Sequence, residues 1–327
     1  MSQQFTESDR AVLAQFLHLK LCKKEIAARL KKHRSSVYRE LARNSGPLGY
    51  LSVEAQQRTN ARRRLPRRAA KMKDPQVQQY VTERLEHCWS PDQIAGRSRR
   101  EFRRAAARRI SRQTIYNWID QRQPDQRRQW RQFLRFGRPR RKRPENGGRL
   151  PGAVTIDGRP RVVDSRRRFG DWEGDTIISR GRRGGLVSLV ERKSGYTLLA
   201  RVDDLRAATV RKASEVQLAS LPGHLLRTLT FDNGKEFAEH EALASATGMS
   251  IYFAQPYCAW QRGTNENTNG LVRQYLPKGT DLTAHSHREV AAIQTSLNDR
   301  PRKRLGYLTP TEVLAKNASR HGVAFRD

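Results

Sequence analysis

The chain has few cysteines and few apolar residues, and both shortages exclude classes of protein. Its three cysteines, Cys22, Cys88 and Cys258, lie far apart among 327 residues and form no C-x-x-C pair. This set predicts reduced, packed thiols rather than a disulfide framework or a cysteine-rich zinc site. Hydrophobic residues make up 36%, the residues after Met1 are polar, and no apolar run could span a membrane. We therefore expect a cytoplasmic protein without a membrane partner, built as a core domain joined to polar helical modules.

Acidic residues are also scarce. The chain has 32 Asp and Glu against 65 Lys and Arg, which gives a net charge of +33. The excess is uneven, because residues 1–160 carry +25 and residues 161–327 carry +8. This predicts a nucleic acid partner, bound mainly by the N-terminal half with an affinity that falls steeply with salt. A membrane surface is the competing partner, and the lack of a strong basic amphipathic helix argues against it.

Residues 1–50 are predicted to form a helix-turn-helix DNA-binding domain. Thr6 can cap a first helix whose apolar residues recur at helical spacing. Two further helices, over 24–30 and 34–41, have apolar faces that can pack together, and the second would enter the major groove. An ordinary helical hairpin is the alternative, and Lys31 departs from the usual pattern because the turn favours glycine. The side chains expected to face DNA are Arg34, Ser35, Ser36, Tyr38, Arg39 and Arg43.

A second helical module is predicted over residues 76–122, between a basic linker over 51–75 and a basic Pro/Gly linker over 123–160. Ser90-Pro91-Asp92-Gln93 has the composition of a helix start, with a cap, Pro and Gln in the favoured places. A later helix would turn Ile115, Trp118 and Ile119 inward. This pattern favours a second helix-turn-helix with a long insert over a plain structural hairpin, and its DNA-facing residues would include Arg112 and Gln113. The first linker could be solvated or contact the DNA backbone, whereas the linker over 123–160 is expected to lie on DNA.

From residue 161 the pattern changes to that of an α/β domain. Three strands joined by Gly-containing turns come first, and helices then alternate with strands. This order predicts a ribonuclease-H-like catalytic core of the retroviral-integrase type over 161–316, with a C-terminal tail over 317–327. The chain as a whole is thus multidomain, with α-helical modules before an α/β core. Strands are expected over 173–179, 185–192, 195–202, 226–231 and 250–253, and helices over 206–220, 235–247, 264–275 and 286–298.

Three carboxylates stand at informative places in this core. Asp175 lies within the first strand, Asp232 ends the fourth, and Glu266 lies in the first turn of a helix after a Gly-rich loop. Mg²⁺ prefers oxygen ligands, and two such ions about 3.5–4 Å apart can activate an attacking oxygen and stabilise a leaving one. Each acid alone has an ordinary interpretation: an Arg partner, a turn residue or a helix N-terminal charge. Their combination in this order predicts two-metal chemistry on a nucleic acid.

Taken together, these motifs resemble the insertion sequence 30 family of transposases, which have an Asp-Asp-Glu catalytic core. The resemblance covers nearly the whole chain. The 33 residues between Asp232 and Glu266 match the spacing of that family. The segments that carry the resemblance are Arg34–Asn44, Trp89–Gly96, Gly170–Asp175, Asp232–Ala238 with His240, Glu266–Gly270, Tyr275–Asp281, Asn298–Lys303 and Thr309-Pro310.

The resemblance implies a set of functional residues. Asp175, Asp232 and Glu266 would be the catalytic residues and the ligands of two Mg²⁺ or Mn²⁺ ions. Arg273, two turns after Glu266 on the same helical face, would contact terminal DNA, with a solvated charge as the alternative. His240 and Lys278 are possible auxiliary residues. For His240, packing against the Asp232 loop and contact with substrate are both possible interpretations.

The function predicted for the chain is that of a DNA transposase associated with the bacterial nucleoid. It would bind the terminal inverted repeats of a mobile element, cut the ends with divalent metal, and join them to double-stranded target DNA. Because two ends must be joined, we expect a homodimer or a higher oligomer on DNA. The rivals are a DNA-binding regulator that no longer cuts, and a structure-selective nuclease of the same core fold.

Overall fold

A computed structural model describes residues 4–64, 71–134, 150–255, 258, 261 and 263–320. The chain divides into two compact units, Met1–Ala70 and Lys71–Asp327. No helix in the described part of the chain is both long and apolar enough to cross a membrane.

The described part of the N-terminal unit contains four α-helices: α1 (Glu7–His18), α2 (Lys23–Arg29), α3 (Arg34–Asn44) and α4 (Ser52–Arg64). Thr6 caps α1 in a reciprocal capping box with Asp9, as its sequence position predicts. Ile26 of α2 and Val37 of α3 are fully buried in one cluster, so the predicted packing of α2 on α3 is confirmed. Lys31 in the turn between them has φ 51°, the left-handed conformation for which glycine is the usual residue.

Helix α4 lies within the range 51–75, which the sequence predicts as a linker. Ala55 is its fully buried residue, and Arg58 donates to the backbone oxygens of Asn44 (3.0 Å) and Ser45 (2.7 Å). These contacts dock α4 against the end of α3 without an apolar stripe, so the hydrophobic pattern could not reveal it. The rest of the basic stretch, from residue 65 to residue 70, lies outside the described residues.

The second unit begins with α5 (Pro75–Glu86), α6 (Pro91–Glu101), α7 (Arg112–Asp120) and α8 (Pro124–Gln132). Ser90 and Gln93 form the predicted capping box of α6, and Ser111 caps α7. The inward face predicted for α7 is confirmed by its three buried residues, Ile115, Trp118 and Ile119. Helix α8 occupies part of the linker predicted over 123–160, and its Trp130 packs on Trp118 with ring centroids 5.4 Å apart. Residues 135–149 of that linker lie outside the described residues.

The core has a five-stranded sheet in the order β3-β2-β1-β4-β5. Strands β1, β2 and β3 form an antiparallel meander, and β4 and β5 run parallel to β1. This is the predicted ribonuclease-H-like α/β order. The strands are β1 (Asp171–Ile178), β2 (Gly185–Glu191), β3 (Thr197–Val202), β4 (Thr228–Phe231) and β5 (Ser250–Phe253), and the helices are α9 (Ala207–Ala219), α10 (His240–Thr247), α11 (Gly263–Tyr275), α12 (His287–Asn298) and α13 (Pro310–Arg320).

Helices cover both faces of the sheet, so the core has three layers. On one face Trp172 and Phe231 of the strands pack with α9 and α10. On the other, Ile177 and Leu199 pack with Leu271 of α11 and with α12. The helix predicted over 235–247 is divided into a 3₁₀ turn and α10, and α13 extends into the predicted tail, where the sequence analysis placed no helix.

The second helical module is joined to the end of the core by a dense contact, which we call the module–core joint. Arg97 of α6 donates to both carboxylate oxygens of Glu312, each over 2.7 Å. The backbone of Gly96 packs closely against the Tyr307 ring. A Cβ at this position would come within 2.2 Å of the ring, so no larger residue fits without a shift. The joint consists of Gln93, Gly96 and Arg97 on one side and Arg300, Tyr307 and Glu312 on the other.

Candidate active site

Asp175 lies within β1, and Asp232 directly follows the neighbouring parallel strand β4. In the pairing of β1 with β4, Glu173 lies opposite Thr230. Asp175 stands two positions beyond Glu173, and Asp232 stands two positions beyond Thr230 and directly after the end of β4. Because paired strands lie roughly 5 Å apart, the sheet brings the two aspartates side by side.

A glycine permits the close packing beneath these residues. A Cβ at Gly174 would lie 2.2 Å from the ring of Phe231, the residue just before Asp232. Any side chain at position 174 would therefore push the aromatic ring away from β1. The glycine between Glu173 and Asp175 thus lets the large ring fill the space under the end of β4.

Helix α11 carries Glu266 in its first turn and is fastened to the sheet by two asparagines. The backbone N–H of Asn265 donates to Glu173 Oε2 over 2.9 Å. The side-chain amide of Asn269 donates to Asp175 Oδ2 over 2.7 Å. Ser188 on β2 lies within 3.3 Å of both asparagine side chains. These bonds place the start of α11, and hence Glu266, over the part of β1 that bears Asp175.

A buried ion pair supports this arrangement. Glu173 is fully buried, Arg192 is 4% exposed, and Arg192 Nε lies 3.3 Å from Glu173 Oε1. Burial lowers the pKa of the Arg192 guanidinium, and the charge of Glu173 acts against that lowering. The sequence places Glu173 on the same strand face as Asp175 but assigns it no role. The sequence feature that could have indicated a role for Glu173 is its position, two residues before Asp175 in a strand whose first half is buried.

The loop after β4 is also fixed by hydrogen bonds. Asp232 Oδ1 accepts from the backbone N–H of Gly234 over 3.2 Å, which is an Asx turn. Asn233 donates to the backbone oxygen of Ala254, just after β5, over 2.7 Å. Glu236 accepts from the Thr176 hydroxyl on β1 over 2.8 Å. The Asp232 loop is therefore held to the strands on both of its sides.

The candidate residues have the chemistry of a site for a hard divalent cation. Asp175, Asp232 and Glu266 offer only oxygen donors, which Mg²⁺ and Mn²⁺ prefer. Among the described residues, no three Asp, Glu, His or Cys side chains already converge on a point that could hold a metal ion. The structure therefore brings together the two aspartates and the helix of Glu266, but it does not close the three carboxylates around one centre.

The candidate DNA-facing residues lie mostly on open surface. On α3, Ser36 is half-buried, and Arg39 donates to the backbone oxygen and the hydroxyl of Ser35, each over 3.0 Å. A cleft beside α3 is lined by Arg39, Arg43 and also Arg62 of α4, whose place in this surface the sequence did not reveal. The exposed candidates are Arg34, Ser35, Tyr38, Arg39 and Arg43 on α3, with Arg112 and Gln113 on α7.

Three further candidates have different surroundings. Arg273 is half-buried and donates to the backbone oxygens of Ile178 and Leu276 over 3.4 Å, and burial lowers its pKa. His240 is 7% exposed at the start of α10 and packs edge-on against Phe253, which favours the packing interpretation. Lys278 is exposed after the end of α11.

Comparison with known proteins identifies the family. No family model matches the chain. The transposase for insertion sequence element IS4351 of Bacteroides fragilis is 38% identical over 99% of each chain. The transposase InsI for IS30A of Escherichia coli (strain K12) is 36% identical over 98% of this chain and 85% of its own length, and the transposase for IS1086 of Cupriavidus metallidurans is 41% identical over 89% and 88%.

Among solved structures, the catalytic core domain of BIV integrase matches 47% of this chain and 99% of its own, at 21% identity and a TM-score of 0.37. That likeness is too weak to add to what the sheet order shows. The sequence identities extend over nearly the whole chain. The protein therefore belongs to the insertion sequence 30 family of transposases.

Proposed function

We propose that this transposase binds the terminal inverted repeats of its insertion sequence and cuts and joins DNA strands through Asp175, Asp232 and Glu266. One observation carries the proposal. The register of β1 with β4 sets Asp175 level with Asp232, which follows β4, and Asn265 and Asn269 fasten the helix of Glu266 to β1. Family membership supports DNA transposition by a polynucleotidyl transferase.

The three carboxylates would hold two Mg²⁺ or Mn²⁺ ions, which, when bound, supply Lewis-acid activation of the attacking oxygen and stabilisation of the leaving oxygen. The chain's own groups orient the carboxylates. Asp175 accepts from the Asn269 amide and from the backbone N–H of Thr176 (2.9 Å), and the Asx turn orients Asp232. Preorganisation of this kind reduces the rearrangement needed during the reaction.

The reaction would occur in two stages on DNA. Water attacks the phosphodiester at the element end, which frees a 3′-hydroxyl and leaves a 5′-phosphate on the other fragment. The 3′-hydroxyl then attacks a phosphodiester of the target duplex and displaces the target's 3′-oxygen, so one phosphodiester breaks as the new one forms. No covalent bond between protein and DNA is needed. Because two ends must be joined, the working form would be at least a homodimer assembled on DNA. This complex would form in the bacterial nucleoid.

The test incubates the full-length chain with duplexes bearing its own element ends, a target duplex and Mg²⁺, and maps every product to the nucleotide. We expect nicks at the element ends and new end–target junctions, and neither product with Asp175→Asn. Binding without any strand break would instead indicate a regulator. Cutting that ignores the end sequence would indicate a nuclease that recognises DNA shape.

A further inference from the structure

The module–core joint connects two sequence motifs that have no part in the proposed chemistry. One is the segment Trp89–Gly96 that opens α6, and the other is Asn298–Lys303 after α12. In the capping box of α6, Gln93 Oε1 accepts from the backbone N–H of Ser90, and Gln93 Nε2 donates to the backbone oxygen of Pro301 over 2.8 Å. Arg300 Nε donates to Gln93 Oε1 over 2.9 Å. The start of α6 is therefore built directly onto the end of the core.

The joint continues to the helix that carries Glu266. Arg300 is 2% exposed, and its Nη1 donates to Gln274 Oε1 on α11 over 2.6 Å. The next residue of α11, Tyr275, donates through its hydroxyl to the backbone oxygen of His87, in the turn before α6, over 3.2 Å. Glu266 lies eight residues before Gln274 on this one helix, a distance of about 12 Å along its axis. Helix α11 thus has the active site at one end and the second helical module at the other.

Helix α7, which presents an exposed face, packs against α6 and so is attached to the module–core joint. Ile115 of α7 and Ile94 of α6 share one buried cluster. At the start of α7, Arg112 lies 3.9 Å from Asp92, and Asp92 accepts from the Tyr307 hydroxyl over 3.2 Å. Helix α7 is therefore held by α6, and α6 is itself held to the end of the core by Tyr307.

We propose that the exposed face of α7, with Arg112 and Gln113, reads part of the element end, and that the module–core joint thereby determines which phosphodiester is cut. The joint holds that face at a set distance from Glu266 through α6, Arg300 and α11. This inference rests on the proposed function. Under it, Gln93, Arg97 and Arg300 are positioning residues that touch neither DNA nor metal. A joint of this kind sets the position of the cut relative to the sequence that α7 reads, whereas affinity for the end depends on the DNA-facing residues.

The experiment measures where full-length variants cut, using Mg²⁺ and duplexes in which the inverted repeat is moved one or two base pairs from the end. The joint variants are Arg97→Ala and Gln93→Ala, with Arg97→Lys as a milder change that keeps the charge. Arg99→Ala is the matched control, because it removes the same charge from an exposed position on the same helix. End binding and thermal unfolding are measured for each variant.

We expect wild type and Arg99→Ala to cut at one phosphodiester that moves with the repeat. In the joint variants the ratio of miscut to correct product should rise about tenfold or more at unchanged end affinity, since small misplacements of reacting groups change rates strongly. Joint variants that cut less but at the same single position would overturn the inference and leave the proposed function intact. Failure of wild type to cut at all would instead refute the proposed function.

Discussion

The backbone N–H of Asn265 donates to the carboxylate of Glu173 over 2.9 Å, and this bond joins a fully buried acid to the first turn of α11. Glu266 is the next residue along that turn. On its other side Glu173 meets Arg192, which is itself almost fully buried. A single side chain therefore neutralises a buried cation and also anchors the helix that bears a candidate metal ligand.

The first prediction concerns Glu173. Replacement by Ala removes this partner and leaves Arg192 with Asp164, at 3.8 Å, as its remaining ion-pair partner among the described residues. It should lower the free energy of unfolding by about 3 kcal/mol. Glu173→Gln keeps an oxygen that can accept from Asn265 and should lose less stability. Urea unfolding measures the stability, and a Mg²⁺ titration of cleavage measures the positioning effect. Both variants should need more Mg²⁺ than wild type at unchanged end binding. An Ala variant with wild-type stability and metal dependence would contradict this role.

The second prediction separates binding from chemistry. Asp232→Asn keeps the size of the side chain and its acceptor for the Gly234 N–H, but removes one charge from the candidate metal site. Strand cleavage should therefore be lost, while end binding is largely retained. Single-turnover cleavage and a gel-shift titration on the same duplex measure the two properties. Glu239→Gln, a half-buried acid on the same segment, is the charge-matched control. Wild-type cutting by Asp232→Asn would remove this residue from the metal site.

The third prediction concerns recognition by α3. An Arg that contacts base edges should contribute about 1–3 kcal/mol of discrimination, whereas a phosphate contact weakens all sequences alike and reduces the salt slope by about one. Arg34→Ala and Arg39→Ala should therefore weaken binding to the inverted repeat more than to a scrambled duplex. Arg29→Ala on α2, where the guanidinium pairs with Glu25, removes the same charge outside α3 and is the control. Equal losses on both duplexes would leave α3 as a non-specific clamp.

The order of strands and helices in the core could be predicted from the sequence because each element has a local signal. Ser286 caps α12 with Glu289 at the third position, and Gly248 ends α10 in a left-handed conformation. Helices α4 and α8 could not be predicted in this way, because arginines and an aromatic contact hold them rather than an apolar stripe.

The candidate site also contains residues that could be predicted from the sequence and supporting residues that could not. Asp175, Asp232 and Glu266 could be singled out because their types and spacing carry chemistry, and the strand register places the first two together. The support beneath them could not be foreseen. The partnership of Glu173 with Arg192 and that of Gln93 with Arg300 depend on how distant segments meet, and no local periodicity encodes that.

The fourth prediction concerns how the stability contributed by the Arg97–Glu312 ion pair changes with pH. The hydrogen bonds from Arg97 hold the pKa of Glu312 below its ordinary value of 4.5, against the opposing effect of burial. A carboxyl with a depressed folded-state pKa contributes stability that is present above 4.5 and is lost as the pH falls through the folded-state value. Wild type should therefore exceed Arg97→Ala in urea resistance at pH 7, and this difference should shrink below pH 4.5. A difference that stays constant with pH would show that the ion pair contributes no net stability.

The fifth prediction concerns assembly and metal. If two chains each supply one active site to one end, mixing wild type with Glu266→Gln should reduce joining faster than in proportion to the mutant fraction. The measurement follows paired-end joining across a series of mixtures at constant total protein. EDTA should abolish joining and added Mg²⁺ or Mn²⁺ should restore it. Strictly proportional loss, or joining in EDTA, would contradict the two-site arrangement.

The module–core joint also constrains how such a gene can diversify. Arg97 meets Glu312 across 215 positions of the sequence, and Gln93 meets Pro301 across 208. A recombination event that replaced only the α5–α8 segment would bring in a foreign α6 opposite an unchanged Arg300, Tyr307 and Glu312. Under the role proposed for α7, new end specificity is therefore more accessible through point changes on its exposed face than through exchange of the whole segment. Hybrids that fail at this contact should be repaired by transplanting the C-terminal stretch from the same donor.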